Sequence, residues 1–394
     1  MLEVADIVRH HGAAYRAAHA DGLGRSQRRV LAAVEACRTA TLGGHVEQCA
    51  DCGLVRVAYN SCRNRHCPKC QGLARAHWLT DRQAELLPVP YFHVVFTLPA
   101  PIAEIAFQNK AVVYDLLFKV AGDTLRTIAA DPRHLGAEIG LVAVLHTWGQ
   151  TLGHHPHVHC IVPGGGIAPD GTRWIPSRPG FFLPVRVLAR LYRRLFLDRL
   201  EAAFTAGTLR FFGTLAGLSD PAVFAAHLRP WRRLAWVVYA KPPFGGPEHV
   251  LAYLGRYTHR VAIANSRLVS LDQGRVSFRW KDYRHHDKPK IMTLDADEFI
   301  RRFLLHVLPD RFRRIRHYGF LANGHRTLKL ARVRALLALP PPQPVPPPAD
   351  YREHYARLTG RSLEICPSCG GHMVEITRLA RVPHPPAPSW HDSS

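Results

Sequence analysis

The sequence predicts an α+β fold in which β-hairpins alternate with helices. Three observations carry this: apolar runs separated by short polar turns, long helical patterns set between them, and a block of cysteines near the N-terminus. With 394 residues, 47% of them hydrophobic, the chain can build a sizeable core and two or three domains.

Taken in order, residues 1–36 read as helical, with Arg25, Arg28 and Arg29 set on an Ala, Val and Leu pattern. A zinc-binding domain follows over 37–75. Helical stretches at 101–130 and 184–205 interrupt the sheet, and Pro221 to Pro230 reads as a helical insert. Ile139 to Trp148, a polar turn and Val158 to Val162 form a predicted β-hairpin ended by Gly164 to Gly166. Ser266 to Leu271 and Arg275 to Trp280, joined by Asp272-Gln273-Gly274, form another. They open a basic C-terminal extension over 266–338. Leu339 to Pro348 is too rich in proline for helix or ladder, so 339–349 is a linker and 350–394 a small tail, with disorder expected from Arg381 onward.

Six of the nine cysteines fall between Cys37 and Cys70. Cys49-x-x-Cys52 followed by Cys67-x-x-Cys70 has the two-knuckle spacing of a tetrahedral zinc site. Cys37, His45, Cys62 and His66 interleave with these four and would close a second, cross-braced site, unless His45 or His66 is solvated or contacts phosphate. Arg56, Arg63, Arg65 and Lys69 make the module basic. Disulfides would need an exported protein; Met1 to Gly12 carries Glu3, Asp6 and two histidines and no apolar leader, so a cytoplasmic location is expected. Late in the chain, Cys366-Pro367-Ser368-Cys369 with His372 is compatible with a third zinc or with a turn bearing two free cysteines.

In a strand, alternate side chains share a face, so His157 and His159 point together while Val158 and Cys160 point to the opposite layer. Two imidazoles so placed can grip one cation. Among 25 histidines, an ordinary half-buried pair is the plain alternative. Cys160 reads as a buried strand residue. Tyr253 and Tyr257 stand at i and i+4 of a helical pattern, so both phenols share a face. Core packing would account for them, yet Arg256, His259 and Arg260 beside them suit a phosphate substrate better. Phenol, with a pKa of about 10, is a weak nucleophile and needs a polarised target, which a divalent cation on the histidines would provide. A phosphotyrosine ester conserves the energy of the broken strand, so no nucleotide cofactor is expected.

A net charge of +22 implies strong, salt-dependent attraction to phosphates. The densest basic cluster runs from Arg301 to Tyr318, where Arg313 and Arg314 interleave with aromatics; a solvated helix face is the alternative. Lys281 and Arg284 follow the second hairpin and could contact a displaced strand. No apolar run approaches the roughly 18 residues of a membrane span, so no membrane partner is expected.

The block Ser61 to Gln71, His157-Val158-His159, Tyr253-x-x-x-Tyr257, Phe278 to Tyr283 and Phe299 to Pro309 together resemble one family. These are the HUH endonucleases, named for His-hydrophobic-His, and within them the two-tyrosine rolling-circle transposases of the insertion sequence 91 type. The resemblance covers most of the chain. It implies a ferredoxin-like antiparallel sheet over 88–265, backed by helices, with the His pair central. Tyr91 to Leu98 then corresponds to the family's first motif, and Leu234 to Ala240 leads into the tyrosine helix. It also implies a third metal ligand, for which Gln150, placed on the strand before His157, is preferred to His146 and His155. The expected ion is Mg²⁺ or Mn²⁺. The implied activity is cleavage and rejoining of single-stranded DNA at the element's ends and at the target, in a bacterial cytoplasm. Tyr253 or Tyr257 would attack a 5′-phosphate. Two other readings stay open: a rolling-circle replication initiator, and a non-catalytic zinc-dependent DNA-binding regulator. The order of the tyrosines and the oligomeric state are not fixed by the sequence.

Overall fold

The computed structural model describes residues 2–83, 85–241, 249, 250, 255, 262–282, 288–341 and 348–382. The chain forms two compact units, one from Met1–Trp78, His259–Arg301 and Val345–Ser394, the other from Leu79–Thr258 and Arg302–Pro344.

In the first unit the expected N-terminal helical segment resolves into α1 (Val4–Ala18) and α2 (Arg25–Glu35). The Asp6 carboxylate accepts from the Glu3 N–H at 2.9 Å and caps α1, and Arg16 ties the pair together through Glu35 at 2.8 Å. Strands β1 (Gly44–Cys49) and β2 (Val55–Tyr59) form a hairpin, followed by helix α3 (Cys70–Gln83). β1 also pairs with β13 (Met373–Leu379), in the order β13-β1-β2, so the tail is a strand of the same sheet as the cysteine-rich block. Glu47 on β1 is buried, and its carboxylate accepts from Arg56 Nε at 2.8 Å and faces His45 Nε2 at 3.2 Å.

The predicted second hairpin appears as β9 (Leu268–Asp272) and β10 (Arg275–Asp282). Its turn needs two left-handed residues, supplied by Gln273 (φ 46°) and Gly274 (φ 75°). β11 (Lys288–Asp295), which the sequence reading did not anticipate, completes a three-stranded meander. Its alternation is masked because both faces are largely exposed.

In the second unit β3 (Tyr91–Thr97), β4 (Gly140–Trp148), β5 (His154–Pro163), β8 (Val238–Lys241) and β12 (Ile315–Gly319) form one antiparallel sheet, ordered β12-β4-β5-β3-β8. A short hairpin of β6 (Gly165–Ile167) and β7 (Trp174–Pro176) follows β5. The helical stretch expected at 101–130 is broken at Asn109 into α4 (Ala100–Gln108) and α5 (Lys110–Ala130), because the Asn109 amide donates sideways to the carbonyls of Ile105 and Arg210. Helices α6 (Val185–Thr205) and α7 (Pro221–Leu228) fall where their sequence patterns placed them.

Strand alternation sorts the sheet's two faces. Phe92, Val94 and Phe96 of β3, Leu141, Ala143 and Leu145 of β4, and Val158, Cys160 and Val162 of β5 all enter the main core. Against them α5 sets Val113, Leu117, Ala121 and Leu125, and α6 sets Leu188, Tyr192, Phe196 and Leu200, each series a single helix face. Burying each of these larger side chains stabilises the fold by about 1.5–3 kcal/mol. A one-residue slip of β5 would drive His157 and His159 into that hydrocarbon, so the core itself fixes the histidines on the opposite face. The α+β, ferredoxin-like class expected of the chain is the class observed.

The basic stretch around Arg313 is not a solvated helix. Its second half is β12, an edge strand on β4, and Arg316 donates to Asp115 at 2.6 Å and lies over the rings of Phe118 and Phe312.

Candidate functional site

The face of β3, β4 and β5 that turns away from α5 and α6 carries a cluster of histidines. His146 lies directly across from His157, and Val144 and Val95 flank His159 on either side, so cross-strand pairing puts His146, His157 and His159 on one patch. The ligand nitrogens of these three rings lie within 4.8 Å of one another. His157 Nδ1 donates to the His155 carbonyl at 2.7 Å, which leaves Nε2 as its ligating nitrogen. His159 Nδ1 is 2.8 Å from Nε2 of the buried His93 on β3, and His159 is itself buried. Desolvation holds His157 down at about 4 and His93 at about 3, so both rings are neutral at physiological pH, the state in which imidazole binds metal. The donor set fits a divalent cation.

The structure corrects the position expected for Gln150. Gln150 is not on a strand: β4 ends at Trp148, and Gln150 sits in the turn closed by the Gly149 N–H on the Gly153 carbonyl at 3.0 Å. His146 joins the cluster instead, because antiparallel register brings residues before and after the turn face to face. His155 contributes its carbonyl to His157. His154 points to the other side of β5 and meets the Tyr114 hydroxyl at 2.7 Å. The β4–β5 turn is held by His306, whose Nδ1 accepts from Thr147 Oγ1 at 3.1 Å and whose Nε2–H donates to the Leu152 carbonyl at 3.0 Å. Neither His93 nor His306 was singled out from the sequence; for His93 the signal was its strand parity in Tyr91-Phe92-His93-Val94, which sends Phe92 and Val94 to the core and His93 to the histidine face.

The tyrosines Tyr253 and Tyr257, with Arg256, His259 and Arg260, lie outside the described residues. Gly255 between them is helical, and a Cβ there would meet Leu79 Cδ1 at 2.6 Å. Arg284, the disordered tail expected beyond Arg381 and most of the proline run also lie wholly or largely outside the described residues. Of the remaining predicted DNA contacts, Lys281 and Arg313 are exposed and Arg314 is half-buried.

The cysteines gather differently from their order in the chain. Cys37, Cys62, Cys67 and Cys70 form one group, with Sγ separations of 3.6 Å for Cys37–Cys70, 3.6 Å for Cys62–Cys70 and 3.7 Å for Cys67–Cys37. A tetrahedral zinc with arms of about 2.3 Å sets sulfurs roughly 3.8 Å apart, so this group fits the ion. The expected pairing of Cys49 and Cys52 with Cys67 and Cys70 is therefore corrected. Cys37 precedes β1 and Cys62 follows β2, at the open end of the hairpin, whereas Cys49 and Cys52 sit at its tip. A six-residue strand spans roughly 20 Å, too far for tip and base to share an ion. His45 and His66 do not join the cysteines: His45 faces Glu47, and His66 Nδ1 lies 3.2 Å from Asn64 Oδ1.

A cysteine module whose geometry fits zinc, in one chain with a histidine-bearing antiparallel sheet, marks a class of protein, the zinc-containing DNA transposases. The comparisons with known proteins agree. The family described as "Putative transposase" matches residues 140–328, and that described as "Transposase zinc-binding domain" matches residues 7–98. The chain is 63% identical over 387 residues to a "Putative transposase y4qJ" of Sinorhizobium fredii (strain NBRC 101917 / NGR234), covering 98% of this chain and 97% of that one. It is 29% identical over 361 residues to the "Transposase for insertion sequence element IS801" of Pseudomonas savastanoi pv. phaseolicola, covering 88% and 82%. No solved structure matches the chain. The chain belongs to the transposases of the insertion sequence 91 type, with the N-terminal zinc-binding domain of that family. Its family makes it a DNA-acting enzyme and zinc its structural ion. Among the described residues no helix is long and apolar enough to cross a membrane.

Proposed function

We propose that this transposase cleaves and rejoins single-stranded DNA through a 5′-phosphotyrosine intermediate, and that it drives rolling-circle movement of an insertion sequence. The observation that carries the reading is the convergence of His146, His157 and His159 on the polar face of the sheet. A divalent cation held there would supply Lewis-acid chemistry, offsetting charge on a non-bridging oxygen of the scissile phosphate. Three nitrogen donors weight the choice toward Mn²⁺ over Mg²⁺.

The chain's own groups do the rest. Tyr253 or Tyr257 supplies the attacking phenolic oxygen; a P–O bond to tyrosine forms, the bond to the 3′-oxygen breaks, and the proton that the phenol gives up passes through solvent to the 3′-oxygen, which leaves as a hydroxyl. The same hydroxyl primes replication or, in the reverse sense, attacks a phosphotyrosine to join strands. The second tyrosine serves the second cleavage. Arg256 and Arg260 would hold the phosphate backbone, and Lys281, Arg313 and Arg314 the flanking strand.

A replication initiator would share the histidines and tyrosines, while a zinc-dependent regulator would need neither. The test compares the unsubstituted chain with His157→Ala/His159→Ala on single-stranded oligonucleotides spanning the element's ends, with Mn²⁺ present. The proposal expects cleavage to fall by about 10³-fold or more while DNA affinity changes little. Unchanged cleavage would overturn it, and binding with no cleavage by either protein would favour the regulator.

A further inference from the structure

The zinc-binding family match ends at residue 98, yet among the described residues the knuckle Cys49-x-x-Cys52 is grouped with no other cysteine or histidine inside it. Its neighbours come from the other end of the chain. The antiparallel register of β1 on β13 sets Cys49 opposite Met373, and the turn Cys366-Pro367-Ser368-Cys369 lies just before β13, so the second knuckle arrives at the tip of the β1–β2 hairpin.

Four thiols meet there. The ligand atoms of Cys49, Cys52, Cys366 and Cys369 all lie within 4.8 Å of one another, with Sγ separations of 3.4 Å for Cys49–Cys369 and 3.7 Å for Cys52–Cys366. A disulfide needs about 2.05 Å, whereas a tetrahedral zinc needs roughly 3.8 Å. Backbone amides point at the sulfurs as they do around bound thiolates: Cys52 N–H to Cys49 Sγ at 3.5 Å, Ser368 N–H to Cys366 Sγ at 3.4 Å, and Gly371 N–H to Cys369 Sγ at 3.4 Å. Gly53 and Gly370, each just past a knuckle, take the left-handed φ values of 73° and 81° that such tight turns require. The apolar support is slight, a cluster of Cys49, Cys366 and Met373. So small a core cannot by itself hold a strand that returns across more than three hundred residues of chain.

We propose that Cys49, Cys52, Cys366 and Cys369 bind a second structural zinc ion that clasps the C-terminal tail onto the N-terminal module. The zinc-binding domain is then discontinuous, closed by both ends of the chain. Arg56 reinforces the clasp: besides Glu47, it donates to the Leu363 carbonyl at 3.1 Å.

Two measurements on the full chain decide this. In the unsubstituted, zinc-loaded protein, a short pulse of iodoacetamide followed by peptide mapping reads each thiol. Cys52 and Cys369 are exposed, so without an ion they would react fast. The clasp predicts that all four thiols resist and become reactive together on chelation; rapid labelling of Cys369 before chelation, or a disulfide among the four, overturns it. Zinc content is then measured in His157→Ala/His159→Ala, where the histidine cluster contributes no metal. Two ions per chain are expected, one after adding Cys366→Ser/Cys369→Ser, and one also after Cys49→Ser/Cys52→Ser instead. One ion at the outset, or two retained without the late pair, overturns the proposal. Should the serine variants aggregate, the labelling result on the unsubstituted chain stands alone.

Discussion

His93 on β3 and His159 on β5 share one short ring-to-ring contact, Nε2 to Nδ1 at 2.8 Å, across the middle of the buried sheet. One of these nitrogens carries the proton. If His159 Nε2 is to ligate a cation, His159 Nδ1 must be the donor and His93 Nε2 the acceptor, so His93 sets the tautomer of its neighbour. Desolvation keeps His93 neutral and able to accept.

His93 is therefore a positioning residue with a measurable effect on metal affinity. His93→Phe is expected to weaken Mn²⁺ binding about 10–100-fold, and His93→Gln, which restores an acceptor, to recover part of it. Titration of Mn²⁺ followed by its paramagnetic resonance reads this directly. A loss of melting temperature with Mn²⁺ affinity intact in both variants would make His93 a packing residue only.

The third ligand separates two positions four residues apart. His146→Ala is expected to reduce Mn²⁺ affinity as severely as His157→Ala, whereas Gln150→Ala changes it by less than about threefold. The opposite ranking would place the ligand in the β4–β5 turn and remove His146 from the site.

Two arginines in the same basic stretch have different work. Arg316 bonds to Asp115 and covers Phe118 and Phe312, so Arg316→Ala is expected to cost about 1–2 kcal/mol of stability. Its DNA affinity stays unchanged while the protein is folded. Exposed Arg313 should behave in reverse: Arg313→Ala leaves stability alone and lowers the salt dependence of DNA binding by about one unit of slope. Denaturant melts and binding isotherms at several salt concentrations distinguish them, and equal effects on DNA affinity would refute the assignment.

Cys160 is buried in the core behind the histidine strand, and burial pushes its thiol well above the ordinary value. Cys160→Ala is expected to leave DNA cleavage unchanged and to cost about 1 kcal/mol of stability. A large loss of cleavage with the fold intact would contradict its structural role.

Much of the fold was legible because it rests on periodicity. The four-residue steps of Leu188, Tyr192, Phe196 and Leu200 mark α6, and the alternation from His157 to Val162 marks β5 and its histidine face. The turn at Gln273-Gly274 was legible because left-handed backbone restricts the residues that can form it. What escaped depends on contacts distant in sequence. Whether His146 or Gln150 faces His157 is settled by where β4 ends and by the irregularity between His146 and Trp148. The cysteine pairing escaped for a similar reason: spacing identifies a knuckle, while hairpin geometry and the β1–β13 register decide which knuckles share an ion. The arginines from Arg313 to Arg316 show charge without role, because only the fold reveals that Arg316 is spent on Asp115.

The central claim is that a phenol of this chain becomes bonded to DNA when a cation occupies the histidine cluster. It is tested most directly by incubating the protein with Mn²⁺ and a single-stranded oligonucleotide carrying the element's end, then digesting it and mapping the nucleotide-bearing peptide by mass spectrometry. The account predicts a phosphotyrosine ester on Tyr253 or Tyr257, absent from His157→Ala/His159→Ala. Cleavage of the oligonucleotide with no nucleotide on either tyrosine, or an adduct that forms equally well without the two histidines, would contradict it.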